Sequence, residues 1–397
     1  MMLTGLQTIL LVLTGLYFVW TAIMHVSTWY YFARNDRRYP AATGEPAVSI
    51  IKPVYGLDHS ALENFCSFCE QDYSNDYEII FCVEERLDPA IPVIKRTMDE
   101  FPGRNIQLVF SDPRDTRAIG KLKNMITGFA KSSFDVMVFS DSDAHAPGTF
   151  LRDTVACVQR SEIGLAFGAP ALEGAENWAA ALMNISVNEL VLPMATASLF
   201  GKFDGAVGTT MVARREVIER IGGLKQFGYQ AADDIILGRA IRKEGYQIRI
   251  LKQPARVFNR RDSFAKWWLH MLRWQVIIRH YWPVKSVITN FLSLGLWWSL
   301  FYLVISLGNR ESLTTGVLLT GAVLATSLIS TAVINLKFVH CKKLWRFLWV
   351  VPILEFFRLP LILHSYLTNE IAWRGRRFRL NTDCTLSRVD NTQPNHS

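Results

Sequence analysis

The chain has 397 residues, 50% of them hydrophobic and 12% aromatic, which is unusual for a wholly soluble protein: part of it is expected to sit in lipid. The formal charge of +8 is unevenly placed. Arg34, Arg37 and Arg38, and again Lys342, Lys343 and Arg346, stand beside apolar stretches, a pattern suited to an anionic membrane surface and not to nucleic acid.

Residues 1–33 contain no Asp, Glu, Lys or Arg, and the apolar core at 3–32 exceeds the roughly 20 residues that a spanning helix needs. No basic region precedes this run and no small-residue cleavage site follows it, so it reads as a membrane anchor and not as a cleaved signal peptide. Trp29, Tyr30 and Tyr31 stand at its far end like an interfacial belt. The arginines that follow put the next segment in the cytoplasm by the positive-inside rule. Beyond a polar linker with Pro40, Gly44 and Pro46, short apolar runs at 48–51, 78–83, 106–110, 136–139 and 165–167 alternate with helical patterns. This predicts an α/β sheet with helices on its faces. In such sheets ligands bind beyond the carboxyl ends of the strands, which gives weight to the residues just after each run. A further strand is expected over 206–213, then a helix over 214–221 closed by Gly222 and Gly223. Scattered Cys residues, with Cys66 and Cys69 the one C-x-x-C pair, read as reduced thiols.

At 264–272, Phe264, Trp267, Trp268, Met271 and Leu272 recur at helical spacing beside Arg260, Arg261 and Lys266. The stripe fits either a core helix or a helix lying in the membrane interface, and the tryptophans with basic neighbours favour the interface. Residues 286–309 and 312–336 are charge-free and long enough to span, forming a hairpin whose basic sequel at 337–346 returns to the cytoplasmic side. Residues 347–369 carry Glu355 and Arg358 between Pro352 and Pro360. Charges at that depth are costly, so a kinked re-entrant or interfacial passage is expected, with the basic stretch 374–379 staying in the cytoplasm.

Candidate chemistry lies on acids. Asp141 and Asp143 end the most apolar predicted strand, and two carboxylates two residues apart in extended backbone face one side, where they could share a divalent cation with phosphate oxygens. Asp88 follows another strand. Asp233 and Asp234 in QAADDIILG either cap the helix that follows or form a site. His270, Arg273 and Trp274 share one helical face. A guanidinium there suits a phosphate, or a lipid headgroup.

This set resembles the membrane glycosyltransferases that carry three separated aspartates and a (Q/R)xxRW motif. It is most similar to the ceramide glucosyltransferase family, including its bacterial hopanoid-type relatives. IKPVYGLD, FCEQDY, CVEERLDPAI, GKLKN, SDSD, AADD, HMLRW and WRGRRFRL occur in the family's order over about residues 48–380. The resemblance implies a glycosyltransferase-A domain (α/β) inserted between transmembrane helices, a UDP-sugar donor and a lipid acceptor. By the same resemblance, Asp88 would help hold the uridine side, Lys121 would lie near the donor, Asp141 and Asp143 would hold Mg2+ or Mn2+ on the diphosphate, and Asp234 would be the base. Arg273 and Trp274 would close the motif near the diphosphate. His270 stands where the family has Gln or Arg, which makes that contact pH-sensitive or removes it. The second acid of SDSD is not present in every relative, so which of the two acids binds metal stays open.

The expected organisation is an anchor (1–33), a cytosolic catalytic domain (34–255), an interface helix region with HxxRW (256–283), a transmembrane hairpin (284–336), a basic loop with a polar membrane or re-entrant segment and a basic juxtamembrane stretch (337–380), and a polar tail (381–397). The expected activity is inverting transfer of one sugar, glucose from UDP-glucose above all, to the hydroxyl of a membrane lipid such as ceramide. Transfer of N-acetylglucosamine or to a hopanoid, processive polysaccharide synthesis, and non-catalytic nucleotide-sugar binding are the alternatives. No nucleic-acid partner is expected. The membrane would be a bacterial inner membrane or a Golgi membrane.

Overall fold

The computed structural model describes residues 2–38, 44–112, 114, 120–169, 171–201, 203–251, 255–373 and 376–389. The linker around Pro40, Arg374 in the basic stretch and the last residues of the polar tail lie outside them. The chain forms two compact units, one of residues 27–173 and 190–258, the other of residues 1–26, 174–189 and 259–397.

The first unit is built on a seven-stranded mixed sheet: β1 (Val48–Val54), β2 (Tyr77–Val83), β3 (Asn105–Phe110), β4 (Val136–Ser140), β5 (Ile163–Gly168), β6 (Thr210–Arg214) and β7 (Gln247–Leu251), in the order β3-β2-β1-β4-β6-β5-β7. All strands pair parallel except β6, which runs antiparallel to β4 and β5. The strands β1, β2, β4 and β5 are buried along their whole length. That is why they read as near-continuous apolar runs and not as alternating ones. Full burial of side chains such as Phe81, Phe139 and Phe167 contributes about 1.5–3 kcal/mol each. The expected α/β sheet is therefore present, with two boundary differences. The strand expected at 206–213 starts only at Thr210, and the sheet gains β7 as an edge strand. On that edge the Ile250 amide donates to the Tyr31 hydroxyl, 3.0 Å away.

The second unit is mainly helical. In it Arg310–Phe338 and Lys343–Leu367 are each long and apolar enough to cross a membrane, as is Gly5–Arg34, whose residues from Ser27 on belong to the first unit, and the chain is membrane-associated. The first arm of the expected hairpin is two helices, Pro283–Leu292 and Gly295–Ile305, bent by 49°. The break falls at Ser293, whose hydroxyl turns back to the Asn290 carbonyl, and at Gly295, whose missing side chain admits the Tyr17 ring. Asn309 caps the second arm by accepting from the Glu311 and Ser312 amides. Val351–Leu367 is one continuous helix despite Pro360. Its Arg358 bridges Glu355 at 3.1 Å and Glu189 at 3.2 Å, so the charges expected to disfavour a helix at this depth are paired inside the protein.

The helix expected at 264–272 runs from Phe264 to Tyr281. Its Trp267 is fully buried and donates to the Ser186 hydroxyl at 3.0 Å. The tryptophan stripe is thus packed within this unit, where the composition favoured a membrane interface. Residues expected to form a basic juxtamembrane stretch and tail instead contain a three-stranded antiparallel sheet, Glu370–Trp373, Arg376–Leu380 and Leu386–Arg388.

Candidate active site

The acids of the first unit meet where β4 ends. Ser140 pairs with Thr210 across the antiparallel β4 and β6 ladder, so the residue after each strand end lies beside the other strand's approach. Asp141 donates its amide to the Thr209 carbonyl at 3.0 Å. The Ala144 amide then closes on the Asp141 carbonyl, and residues 141–144 form a tight turn. Extended backbone, assumed for the D-x-D pair, is not what brings its carboxylates near each other; the turn does.

Lys121 organises the cluster from the first turn of the Gly120–Lys131 helix. That helix is held over β1 by Gly128, where any side chain would strike Ile51, and by Asn124 donating to the Val54 carbonyl. The Lys121 ammonium lies 2.7 Å from Asp141 Oδ1, 3.5 Å from Asp233 Oδ2 and 2.9 Å from the Gly208 carbonyl. Burial alone would depress its pKa, but the charges of Asp141, Asp233 and Asp234 outweigh that and hold it above the ordinary lysine value.

Asp234 stands in the first turn of the Asp233–Lys243 helix. One oxygen accepts from the Gly208 amide and the other from the Ile235 amide, both at 2.8 Å. Burial first, and the Asp233 charge second, push its carboxyl up to about 7. Asp233 makes no capping hydrogen bond, and its contribution is charge opposite Lys121. At Gly208 a Cβ would sit 2.5 Å from Lys121 Nζ and 3.3 Å from Asp234 Oδ2, so a side chain there would displace the lysine from the acids. The Asp233–Lys243 helix itself is drawn close by Gly238, whose absent Cβ would lie 2.6 Å from the Gly205 backbone.

Asp143 is raised to about 7 by burial and by the neighbouring charges of Asp141 and Asp58. Asp58 is tied to the turn by the Ser142 hydroxyl at 2.5 Å. Among the described residues no group of three His, Cys, Asp or Glu side chains is arranged to hold a metal ion. The donor chemistry nevertheless fits a hard divalent cation: two acids, Asp141 and Asp143, crowd negative charge into a half-buried turn, leaving further coordination positions for phosphate oxygens and water.

Asp88 is buried beyond β2, and its two oxygens accept from the Gly56 and Ala90 amides at 2.8 Å each. It fastens the loop after β1 to the start of the next helix. Sequence reasoning missed Lys52, which is fully buried in β1. Its ammonium donates to the Asp141 carbonyl at 2.9 Å and lies 3.7 Å from the Phe68 ring centroid. Burial lowers its pKa to about 7 against the pull of Asp141, Asp143 and Asp58. A single Lys inside an otherwise apolar strand was the available signal.

The HxxRW residues lie together in the second unit. The His270 ring packs against Trp274 with centroids 4.9 Å apart, and Arg273 Nη2 is 3.5 Å from His270 Nδ1. Burial, then the charges of Arg273 and Lys266, lower the His270 pKa to about 3. Burial and the adjacent guanidinium thus favour the neutral imidazole.

The model of glycosyl transferase family 21 matches residues 7–386. The chain belongs to glycosyl transferase family 21. Ceramide glucosyltransferase 1 of Caenorhabditis elegans is 23% identical over 404 aligned residues, covering 97% of this chain and 83% of that protein. Ceramide glucosyltransferase 3 of the same organism is 25% identical over 276 residues, and the aligned part covers 67% of this chain and 58% of that relative's length. Among solved structures, a mannosyltransferase from Pyrobaculum calidifontis in complex with GDP-Man and Mn2+ superimposes with a TM-score of 0.49 at 18% identity, covering 89% of this chain and 99% of the other. Membership makes this family 21 chain a hexosyltransferase.

Proposed function

We propose that the chain transfers one glucose from UDP-glucose to the primary hydroxyl of a membrane lipid, ceramide foremost, with inversion at the anomeric carbon. The observation that carries this reading is the Asp141, Asp143, Asp234 and Lys121 cluster: a carboxylate titrating near neutrality beside a pair of acids suited to a diphosphate-bound cation. The names of the relatives, ceramide glucosyltransferases, support the choice of sugar and acceptor.

Asp234 is the base. A carboxyl held at about 7 is ionised enough at neutral pH to accept the acceptor's proton and basic enough to drive its removal. The Gly208 and Ile235 amides fix both of its oxygens, so the carboxylate does not swing away between turnovers. Asp141 and Asp143 are the residues that would hold Mg2+ or Mn2+, which when bound offsets charge on the leaving UDP. Lys121 balances the acids and keeps the Asp234 pKa from climbing further. Asp88 supports the uridine side by fixing the Gly56 loop. Arg273, Trp274 and neutral His270 are assigned to the diphosphate by the order of the family motif. The run of Arg34, Arg37 and Arg38 after the anchor supports a cytoplasmic catalytic unit.

Mass spectrometry of lipids from a host expressing the chain tests the assignment. A monoglucosylated lipid that disappears with Asp234→Asn is the expected result; retained product with that variant excludes Asp234 as the base, and a long glycan in place of one sugar overturns the reaction type.

A further inference from the structure

The stretch IKPVYGLD and the helix after it meet the Asp141–Asp143 turn and its sequel contact by contact, in matching chain order. Lys52 Nζ donates to the Asp141 carbonyl at 2.9 Å, the Ser142 hydroxyl donates to Asp58 Oδ2 at 2.5 Å, Asn64 Nδ2 donates to the Asp143 carbonyl at 3.1 Å, and the Ala146 amide donates to the Ser67 hydroxyl at 3.0 Å. Asn64 and Ser67 are buried on the Ala61–Cys69 helix. Strand register accounts for Lys52: Ile51 pairs with Phe139, so the next residue stands beside the end of β4 and its long side chain reaches the turn beyond. There the ammonium also donates to the Ser140 hydroxyl at 3.3 Å, and the Phe68 ring covers another side of it. A charged group fully buried in an apolar sheet is costly, and a methionine of similar length would fill the space without that cost.

We propose that Lys52, together with Asp58 and Asn64, is a positioning residue for the cation: it sets the backbone of the Asp141–Asp143 turn before Mg2+ or Mn2+ arrives. This role rests on the reading of Asp141 and Asp143 as the acids that hold the cation. Lys52 and Asn64 grip carbonyl oxygens and Asp58 grips a hydroxyl, so these contacts fix the shape of the turn and occupy no carboxylate oxygen of either acid. Lys121 differs, since its ammonium lies against Asp141 Oδ1 and competes with a cation there. Removing Lys121 frees a carboxylate; removing Lys52 frees the backbone that aims it. Partners that orient metal ligands from outside change metal affinity by about 10–100-fold, because the ligand is already ordered when the ion binds. The Lys52 charge by itself repels a cation, so position and charge act with opposite sign.

The test uses the full chain in phosphatidylcholine nanodiscs, with Mn2+ binding in the presence of UDP followed by electron paramagnetic resonance and Tm measured for each variant. Wild type should bind Mn2+, and Asp141→Asn/Asp143→Asn should not. Lys52→Met should bind it at least roughly tenfold more weakly at a Tm equal to or above that of wild type, a pairing that a merely structural lysine does not give. Asn64→Leu removes a tether without changing charge; it should weaken Mn2+ binding in the same direction, and it decides the matter if Lys52→Met does not fold. Tighter Mn2+ binding in Lys52→Met would reduce Lys52 to a counter-charge and overturn the positioning role, and unchanged binding in the variants would overturn it too. Wild type that binds no Mn2+, or binding retained in Asp141→Asn/Asp143→Asn, would instead overturn the reading of the two acids and the role of Lys52 with it.

Discussion

Replacing Lys121 with methionine removes the cation that lies 2.7 Å from Asp141 and 3.5 Å from Asp233 while keeping the length of the side chain. Lys121 is one of the groups that lower the Asp234 pKa, which burial and Asp233 otherwise raise to about 7. Losing it drives that pKa upward. A unit charge about 4 Å away at an effective dielectric of about 20 is worth at most about 4 kcal/mol, and one pKa unit is about 1.4 kcal/mol, so a rise of about two units is the scale after screening. At pH 7.5 a base with a pKa near 9 is only about 3% ionised, against roughly three-quarters for one near 7, so transfer falls roughly 25-fold. The assay is single-turnover transfer from UDP-glucose across pH 6 to about 10. The Lys121→Met profile should keep its shape with the acid limb moved up by about two units, and most of the rate should return by about pH 9.5. Lys121→Arg, which keeps the charge, should leave the limb nearly in place. An unshifted limb in Lys121→Met, with a loss that alkali does not restore, would refute the electrostatic role and leave Lys121 a ligand of the donor.

Asp234→Asn should abolish transfer while UDP-glucose binding, followed by calorimetry, stays within a factor of about two. Asp143 gives a stability prediction. Its carboxyl titrates at about 7 when folded and at 3.8 in the reference state, so between those values the folded protein holds a proton that the unfolded chain has lost. Stability therefore falls as pH rises through that window; melting curves should show a decline that Asp143→Asn flattens, and Mn2+ with UDP should stabilise more at pH 7.5 than at pH 5.5. Gly238→Ala sets a methyl against the Gly205 backbone and should cost about 1–3 kcal/mol, read as a lower Tm together with a lower kcat. Arg358→Leu leaves Glu189 and Glu355 without their cation and should destabilise by about 3–5 kcal/mol; adding Glu189→Gln and Glu355→Gln should restore most of that loss.

The central strands were legible because burial on both faces of a parallel sheet leaves apolar runs of sequence, as at Ile50, Ile80 and Val138. The acids were legible as motifs in an order, but their geometry was not. The turn at Asp141 depends on the Thr209 carbonyl some seventy residues away, and Lys121, which the GKLKN resemblance put near the donor, reaches the acids through helix packing that no local pattern reveals. Trp267 shows the limit of periodicity: a core stripe and an interfacial stripe have the same spacing, and only the partner at Ser186 separates them. The C-terminal sheet was readable in principle. Phe378 and Leu380 are buried while Arg377 and Arg379 alternate with them, yet the basic composition masked the period of two. Lys52 was overlooked because a lysine in a strand is ordinarily an edge residue, and its partner, the Asp141 carbonyl, is backbone.

The hydrogen bond from Ile250 to Tyr31 also bears on how one edge of the sheet is closed to other molecules. Strand β7 closes the sheet on one side, and an open strand edge is a template for pairing with another molecule. Here the membrane anchor serves as a guard rail for that edge, with a phenol occupying an amide that a stray strand would otherwise take. A fragment trimmed to begin after the aromatic belt would keep all the acids and lose the guard, and its failure in solution would be self-association and not loss of the active-site chemistry.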